Sequence, residues 1–303
     1  MKTEYVSCSL CGRDDWQLRF RATSNGSAGV DLGAFRCTSS GYGQHPQIVQ
    51  CRYCSYVYAN PRWMGRELLD AYAAVEDETY VQERTGRVLT FRRHLQALHR
   101  FTGVADGRRL LDVGAYIGVF VEVAREAGWD ACGVEPSQWA VSQAQQRGLP
   151  VMQGTQETLR VGAGTFDVVT MWDVIEHVGD PPAELAQAHR FLKPGGLLAV
   201  HTMDVDSLFA RLMGPRWPWL MEMHIHYFSA RTLAQMLQKE GFEVLASGAQ
   251  GRYLRLGYLA SRLRGLNPTL GAWAQRLSER LGLESVAIPV NFGDLFTIYA
   301  RRP

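Results

Sequence analysis

Leu110-Leu111-Asp112-Val113-Gly114-Ala115-Tyr116-Ile117-Gly118 is the stretch on which the reading of this chain turns. A short apolar run closes on glycine, and Val119 to Ala127 follows with helical spacing until Gly128 stops it. Strand, glycine loop and helix in that order make a ligand loop. Glycine lets the backbone come close to a bound group at the carboxyl end of a strand, and the following helix start presents free N–H groups and the positive end of its dipole. The dinucleotide fingerprint G-x-G-x-x-G would need glycine at positions 114, 116 and 119, and positions 116 and 119 hold Tyr and Val. A nicotinamide-binding loop therefore fails on its second and third glycines.

From Arg108 the chain alternates short apolar runs with amphipathic stretches, the pattern of strands joined by helices in a parallel sheet. Strands are predicted at Leu110 to Val113, Ala131 to Val134, Val151 to Gln153, Phe166 to Trp172, Leu197 to Thr202 and Phe292 to Ala300. Helices are predicted at Val119 to Ala127, Ser137 to Gln146, Pro181 to Phe191 and from Ser229 to Gly241, the third with proline in its first turn and the last capped by serine. Asn60-Pro61 is a turn signal, and Arg66 to Phe101 carries two apolar stripes with helical spacing.

The pattern D-x-G-x-x-x-G with an acidic residue closing the next strand resembles the class I S-adenosylmethionine-dependent methyltransferases. Glu135 lies 23 residues after Asp112, followed by Pro136-Ser137. Phe166 to Val178 is similar to that family's fourth strand and the loop after it, and Leu192-Lys193-Pro194-Gly195-Gly196 to its turn into the fifth. The resemblance covers about residues 108–303 and implies a Rossmann-like α/β sheet of seven strands, mostly parallel with the last antiparallel. It also implies S-adenosylmethionine as cofactor, with Asp112 ordering the loop, Gly114, Ala115, Tyr116 and Gly118 at the methionine end, and Glu135 beside Pro136 holding the ribose hydroxyls. Gln156 is expected near the adenine, and Trp172 and Asp173 beside the reacting methyl. The family's commoner loop has glycine where this chain has Tyr116.

Upstream, Cys8, Cys11, Cys51 and Cys54 form two C-x-x-C pairs, the spacing that brings four thiolates onto one tetrahedral zinc ion. Four sulfurs fill the coordination sphere, so the expected site is structural Zn2+. The pairs stand 39 residues apart, from Gly12 to Gln50, wider than a usual zinc ribbon. Thr23 to Gly43, rich in Gly and Ser and carrying the spare Cys37, is accordingly expected to be a long or mobile looped-out insertion. The resulting organisation is a zinc-ribbon β module over residues 1–62, a helical linker or lid over 63–107 and the methyltransferase domain over 108–303. Substrate-cap insertions are expected around 204–228 and 252–290. Such a module ahead of such a core is similar to the zinc-ribbon methyltransferases of small molecules, some of which methylate nucleotide-linked sugars at carbon. In those relatives a Glu-His step precedes the last helices; here Met221 to Ser229 occupies that place, with His224 matching the histidine and Met223 standing where the carboxylate would be.

Methyl transfer needs an acceptor held in line with the methyl and, where one is lost, a group to take the proton. His224 is the first candidate base, then His226 and His177, with Glu176 orienting or sharing the proton. The expected acceptor is a small molecule, in natural-product or sugar-nucleotide biosynthesis, methylated at carbon or oxygen. A nicotinamide-dependent oxidoreductase and a non-enzymatic zinc-ribbon protein that senses the cofactor are the alternatives. Thirty-two Lys and Arg against thirty Asp and Glu give a net charge of +2, which names no nucleic-acid partner. No apolar run approaches a membrane span and the start Met1-Lys2-Thr3-Glu4 lacks the core of a secretion signal, so a cytoplasmic protein is expected. The Arg- and Leu-rich stretch from Arg252 to Leu283 reads as a surface helix, open between a solvated face, a homodimer contact and a membrane-surface role.

Overall fold

In the structure, a computed structural model that describes residues 3–24, 32–39 and 41–303, a seven-stranded sheet occupies the carboxyl-terminal two thirds. Its strands in chain order are β1 (Arg109–Val113), β2 (Asp130–Glu135), β3 (Val151–Gln153), β4 (Phe166–Trp172), β5 (Leu192–Met203), β6 (Glu243–Ala249) and β7 (Leu295–Arg301). Across the sheet they run β6-β7-β5-β4-β1-β2-β3. The first five are parallel, and β7 is antiparallel to both β5 and β6. The expected class I methyltransferase sheet is thus present. Strand β6 escapes a sequence reading because it lies at the edge, half-exposed, with the unpatterned sequence Glu-Val-Leu-Ala-Ser-Gly-Ala.

Helices cover both faces, which is why Leu110, Leu111, Val168, Val169, Leu198 and Val200 of the central strands are all fully buried and read as continuous apolar runs. Chain order reverses between β1 and β4, so the loops at their carboxyl ends part and open a crevice. Helix Arg84–Thr102 crosses over this edge and packs against helix Val119–Glu126 and strand Arg252–Arg255.

The amino-terminal part forms an antiparallel sheet of Trp16–Phe20, Ile48–Cys51 and Val57–Ala59, completed by His226–Tyr227 from far along the chain. Sequence order places His226 and Tyr227 with the methyltransferase domain; hydrogen bonding places them in the cysteine-bearing sheet. The insertion also departs from expectation. Residues 25–31 and 40 of it lie outside those described, but Leu32–Phe35 forms a 3-10 turn, Phe35 is buried, and Thr38 donates its N–H and hydroxyl to Asp77 at 2.9 and 2.6 Å. This part is therefore anchored, by a buried carboxylate that sequence periodicity does not reveal. Farther on, strands Arg252–Arg255 and Ala287–Val290 pair antiparallel and carry helices Leu256–Leu266 and Pro268–Arg280 between them.

Candidate functional site

The crevice at the carboxyl ends of β1, β2 and β4 is a cavity of about 270 Å³. Asp112, Gly114, Ala115 and Tyr116 line it from β1 and its loop, and Pro136 and Gln156 from the loops after β2 and β3. Trp172, Asp173, Glu176 and His177 line it from β4 onward, and His224 closes the far end.

The loop geometry explains its residues. Gly114 has φ of +67°, and a Cβ there would meet Val174 Cγ2 at 2.6 Å, so the position has no room for a side chain. Tyr116 adopts φ of +48°, the left-handed region where glycine is at ease and tyrosine is strained, which accounts for the commoner glycine at this position. Its ring sits edge-on to Tyr80, with centroids 4.5 Å apart. Gly118 does not line the cavity. It caps helix Val119–Glu126 at φ of +77°, and its missing Cβ makes room for Leu149 and Val151.

Glu135 is completely buried behind the loop and, like Gly118, does not itself line the cavity; its oxygens accept the N–H groups of Tyr116 at 3.0 Å and Ser137 at 2.8 Å. Burial pushes its carboxyl up to about 7 against the pull of those two donors. Each oxygen retains a lone pair for a further donor such as a ribose hydroxyl. Asp112 accepts from Thr170 on β4 at 2.7 Å, and burial raises it to about 8; its hydrogen bond thus ties two strands together instead of fastening the loop. Gln156 gives its amide N–H groups to Glu184, while its Oε1 is buried without a partner, as is the Trp172 Nε1 hydrogen. An unpartnered acceptor beside a glycine cradle and a buried carboxylate fits a nucleoside with an exocyclic amine and two hydroxyls. These residues suit S-adenosylmethionine.

At the other end, His177 Nδ1 lies 3.0 Å from the Met223 carbonyl and His224 Nδ1 2.7 Å from the Trp219 carbonyl. Each ring must donate through Nδ1, which leaves its lone pair on Nε2. The two rings stand 4.8 Å apart, and one ligand-capable atom from each lies within 4.8 Å of a Glu176 oxygen. Burial, reinforced by the neighbouring His177, drives His224 down to about 3, and burial lowers His177 as well, so both are neutral at ordinary pH. Glu176 accepts from Thr202 at 2.9 Å, and burial together with the charge of Asp173 raises it to about 8. His226 does not join this group. Its Nδ1 faces the Tyr56 hydroxyl at 2.9 Å and its Nε2 the Val178 carbonyl at 3.0 Å, so both nitrogens are committed and no lone pair is free.

Sequence reading missed the cavity's other wall. Phe35, Leu68, Tyr72, Met221 and Met223 come from segments that were read as insertion, linker or cap, and Arg252 reaches in to pair with Asp173 at 2.5 Å. Leu68 and Tyr72 carried a signal, as members of one apolar stripe at helical spacing. Of the segment's tryptophans, Trp219 lines the cavity whereas Trp217 is buried core; both donate to Asp294, at 2.8 and 3.0 Å.

In the cysteine module the four thiols converge, all sulfurs lying within 4.8 Å of one another, with Cys8 and Cys54 at 3.4 Å and Cys11 and Cys51 at 3.6 Å. A tetrahedral ion with bonds of about 2.3 Å has sulfur–sulfur edges of about 3.8 Å, so the donor set fits zinc. Cys37 stands apart from it, lining the cavity with its sulfur 4.0 Å from the Tyr72 hydroxyl.

A family described as a methyltransferase domain matches residues 84–247, more than half of the chain. The chain belongs to this methyltransferase family. Among curated relatives, the ubiquinone biosynthesis O-methyltransferase of Caulobacter sp. (strain K31) is 36% identical over 122 residues, covering 36% of this chain and 48% of that protein. The enzyme of the same name from Bordetella avium (strain 197N) is 27% identical over 175 residues, covering 52% and 70%. The chain therefore spans about half the length of the first of these relatives. A solved S-adenosylmethionine-dependent methyltransferase of Thermotoga maritima superposes with a TM-score of 0.51 at 22% identity over 75% of this chain and 94% of that one, a likeness of fold.

Proposed function

We propose that this methyltransferase acts on a hydroxyl oxygen of a largely apolar small molecule. The observation that carries the reading is the pair His177 and His224, neutral imidazoles whose Nδ1 atoms are fixed by carbonyls at the closed end of an apolar cavity. The name shared by the curated relatives, O-methyltransferase, supports oxygen as the acceptor atom. The walls supplied by Phe35, Leu68, Met221 and Met223 favour a phenolic or isoprenoid acceptor of the natural-product kind over a sugar nucleotide, which would need many polar partners.

Glu135 and Pro136 hold the ribose, Gln156 Oε1 receives the adenine amine, and Gly114, Ala115 and Tyr116 give the methionine end its close approach. Asp112, Trp172 and Asp173 frame the opening. When bound, S-adenosylmethionine supplies a methyl carbon on a sulfonium, an electrophile that needs no further activation. His224 Nε2 accepts the hydroxyl hydrogen bond, fixes the direction of the oxygen lone pair, and takes the proton once oxygen has become strongly acidic on methylation. A weakly basic imidazole suffices for that step. His177 shares the hydroxyl, and Glu176, protonated below about 8, holds a neutral hydrogen-bonding edge beside both.

Cys8, Cys11, Cys51 and Cys54 hold a structural zinc ion in this reading, and six cysteines with no disulfide between them suit a reducing compartment such as the cytoplasm. The test is calorimetric titration with S-adenosylhomocysteine followed by methyl-transfer assays on phenols and catechols. Loss of cofactor binding in Glu135→Ala with product formation by the unaltered enzyme supports the reading; cofactor turnover only on sugar nucleotides overturns it.

A further inference from the structure

Helix Pro268–Arg280 carries an apolar stripe that no part of the fold covers among the described residues. Leu270, Trp273, Leu277 and Leu281 recur at helical spacing and all face outward, with Trp273 62% and Leu281 59% exposed. The opposite edge of the same helix is packed. Gly271 and Ser278 are buried, and a Cβ on Gly271 would strike the Arg264 backbone at 2.2 Å, so the helix lies tight on its partner Leu256–Leu266 and turns the stripe to the outside. Leu283 and Val286 lengthen it. An exposed tryptophan in a row of exposed leucines is unusual for a surface that stays in water.

The charges beside the stripe indicate what covers it. At 100° per residue Arg276 and Arg280 border Trp273 and Leu277 on one flank, whereas Glu279, hydrogen-bonded to Gln275 at 3.0 Å, lies on the far side of the helix. Tryptophan and leucine with arginine at the margin are what an anionic lipid surface receives: side chains enter at the headgroup level while guanidinium groups meet phosphate. A second copy docking the same stripe across a two-fold axis would bring its like-charged margins together. Among the described residues no helix is long and apolar enough to cross a membrane, so this contact would lie in the membrane surface.

We propose that helix Pro268–Arg280 is a docking face for anionic lipid membranes. The two-helix unit that bears it is joined to the apolar wall of the cavity, since Arg262 donates to the carbonyls of Thr38 and Ser39 beside the cavity-lining Cys37.

The experiment is co-sedimentation of the full chain with vesicles of phosphatidylcholine alone and of equal parts phosphatidylcholine and phosphatidylglycerol. Two double variants are compared with the unaltered chain, Trp273→Ser/Leu277→Ser and Arg276→Glu/Arg280→Glu; all of these side chains are exposed, and unchanged S-adenosylhomocysteine binding verifies the fold. Binding to the phosphatidylglycerol vesicles is expected, weakened about tenfold or more in each variant and reduced by salt. Failure of the unaltered chain to bind anionic vesicles overturns the proposal, as does binding that both variants retain. A dimer in sedimentation equilibrium that is lost in Trp273→Ser/Leu277→Ser, without vesicle binding, also overturns it and assigns the stripe to a second copy.

Discussion

The Tyr56 hydroxyl stands 2.9 Å from Nδ1 of His226, joining a residue two places beyond Cys54 to one two places beyond His224. The same segment is held by backbone: the Glu176 carbonyl accepts the N–H groups of Ile225 at 3.0 Å and His226 at 3.1 Å. The cysteine module thus buttresses the loop bearing Glu176 and His177. Tyr56→Phe leaves a buried imidazole nitrogen unpaired and should cost about 1–3 kcal/mol of stability, measured by denaturant unfolding. A shift below a few tenths of a kcal/mol would mean that the pair carries no strain-free load in the native state.

Removal of one thiol should undo the module. Cys51→Ser is expected to lower zinc from about one ion per chain to near zero by elemental analysis and to lower the melting temperature. Full retention of metal in this variant would place the ion elsewhere.

The buried carboxyl of Glu135 makes stability depend on pH. Its folded pKa of about 7 lies above the ordinary glutamate value, so the folded protein holds a proton that the unfolded chain has lost, and stability falls as pH rises from about 4.5 through 7. The difference in melting temperature between Glu135→Gln and the unaltered chain should therefore move in favour of the variant over that window. Ribose hydroxyls donating to the carboxylate favour its ionised form, so S-adenosylhomocysteine binding near pH 6 should release protons, seen by calorimetry in buffers of different ionisation heat and absent in Glu135→Gln.

His224→Gln should lower kcat by about a hundredfold while leaving S-adenosylhomocysteine affinity unchanged. Because burial holds the His224 pKa near 3, kcat of the unaltered enzyme at saturating S-adenosylmethionine should not fall as pH drops through 6.5, where an exposed histidine would charge. An acid limb centred near 6.5 would transfer the proton-accepting role to another group.

Gly114→Ala meets two penalties, a left-handed backbone and a contact with Val174 at 2.6 Å, and should destabilise the protein by about 1–3 kcal/mol. Val174→Ala in that background should restore only part, because it removes the contact and leaves φ unchanged; full rescue would show the backbone conformation to be without cost.

What could be read from sequence was what depends on local spacing. The loop from Gly114 to Gly118, the order of strands β1 to β5 and the two C-x-x-C pairs are each set within a few residues, and all three are in the structure. Motif position does not reveal that the Cβ side of Gly118 faces Leu149 and Val151. The partners of His226, Tyr56 and the Val178 carbonyl, are 170 and 48 residues away and leave no local trace in the sequence. The wall that Phe35, Leu68 and Met223 form together was invisible for the same reason: a cavity assembled from three distant segments leaves no trace of that assembly in any of them.

The strand His226–Tyr227 completes a sheet begun at Trp16, and this sets an order of events during synthesis. As the chain leaves the ribosome, the cysteines emerge long before the strand that must lie against Val57 and Tyr58, leaving an open sheet edge throughout that interval. Early capture of an ion would keep this edge from straying to other chains, and the nascent protein could settle only once the segment that also bears His224 had arrived.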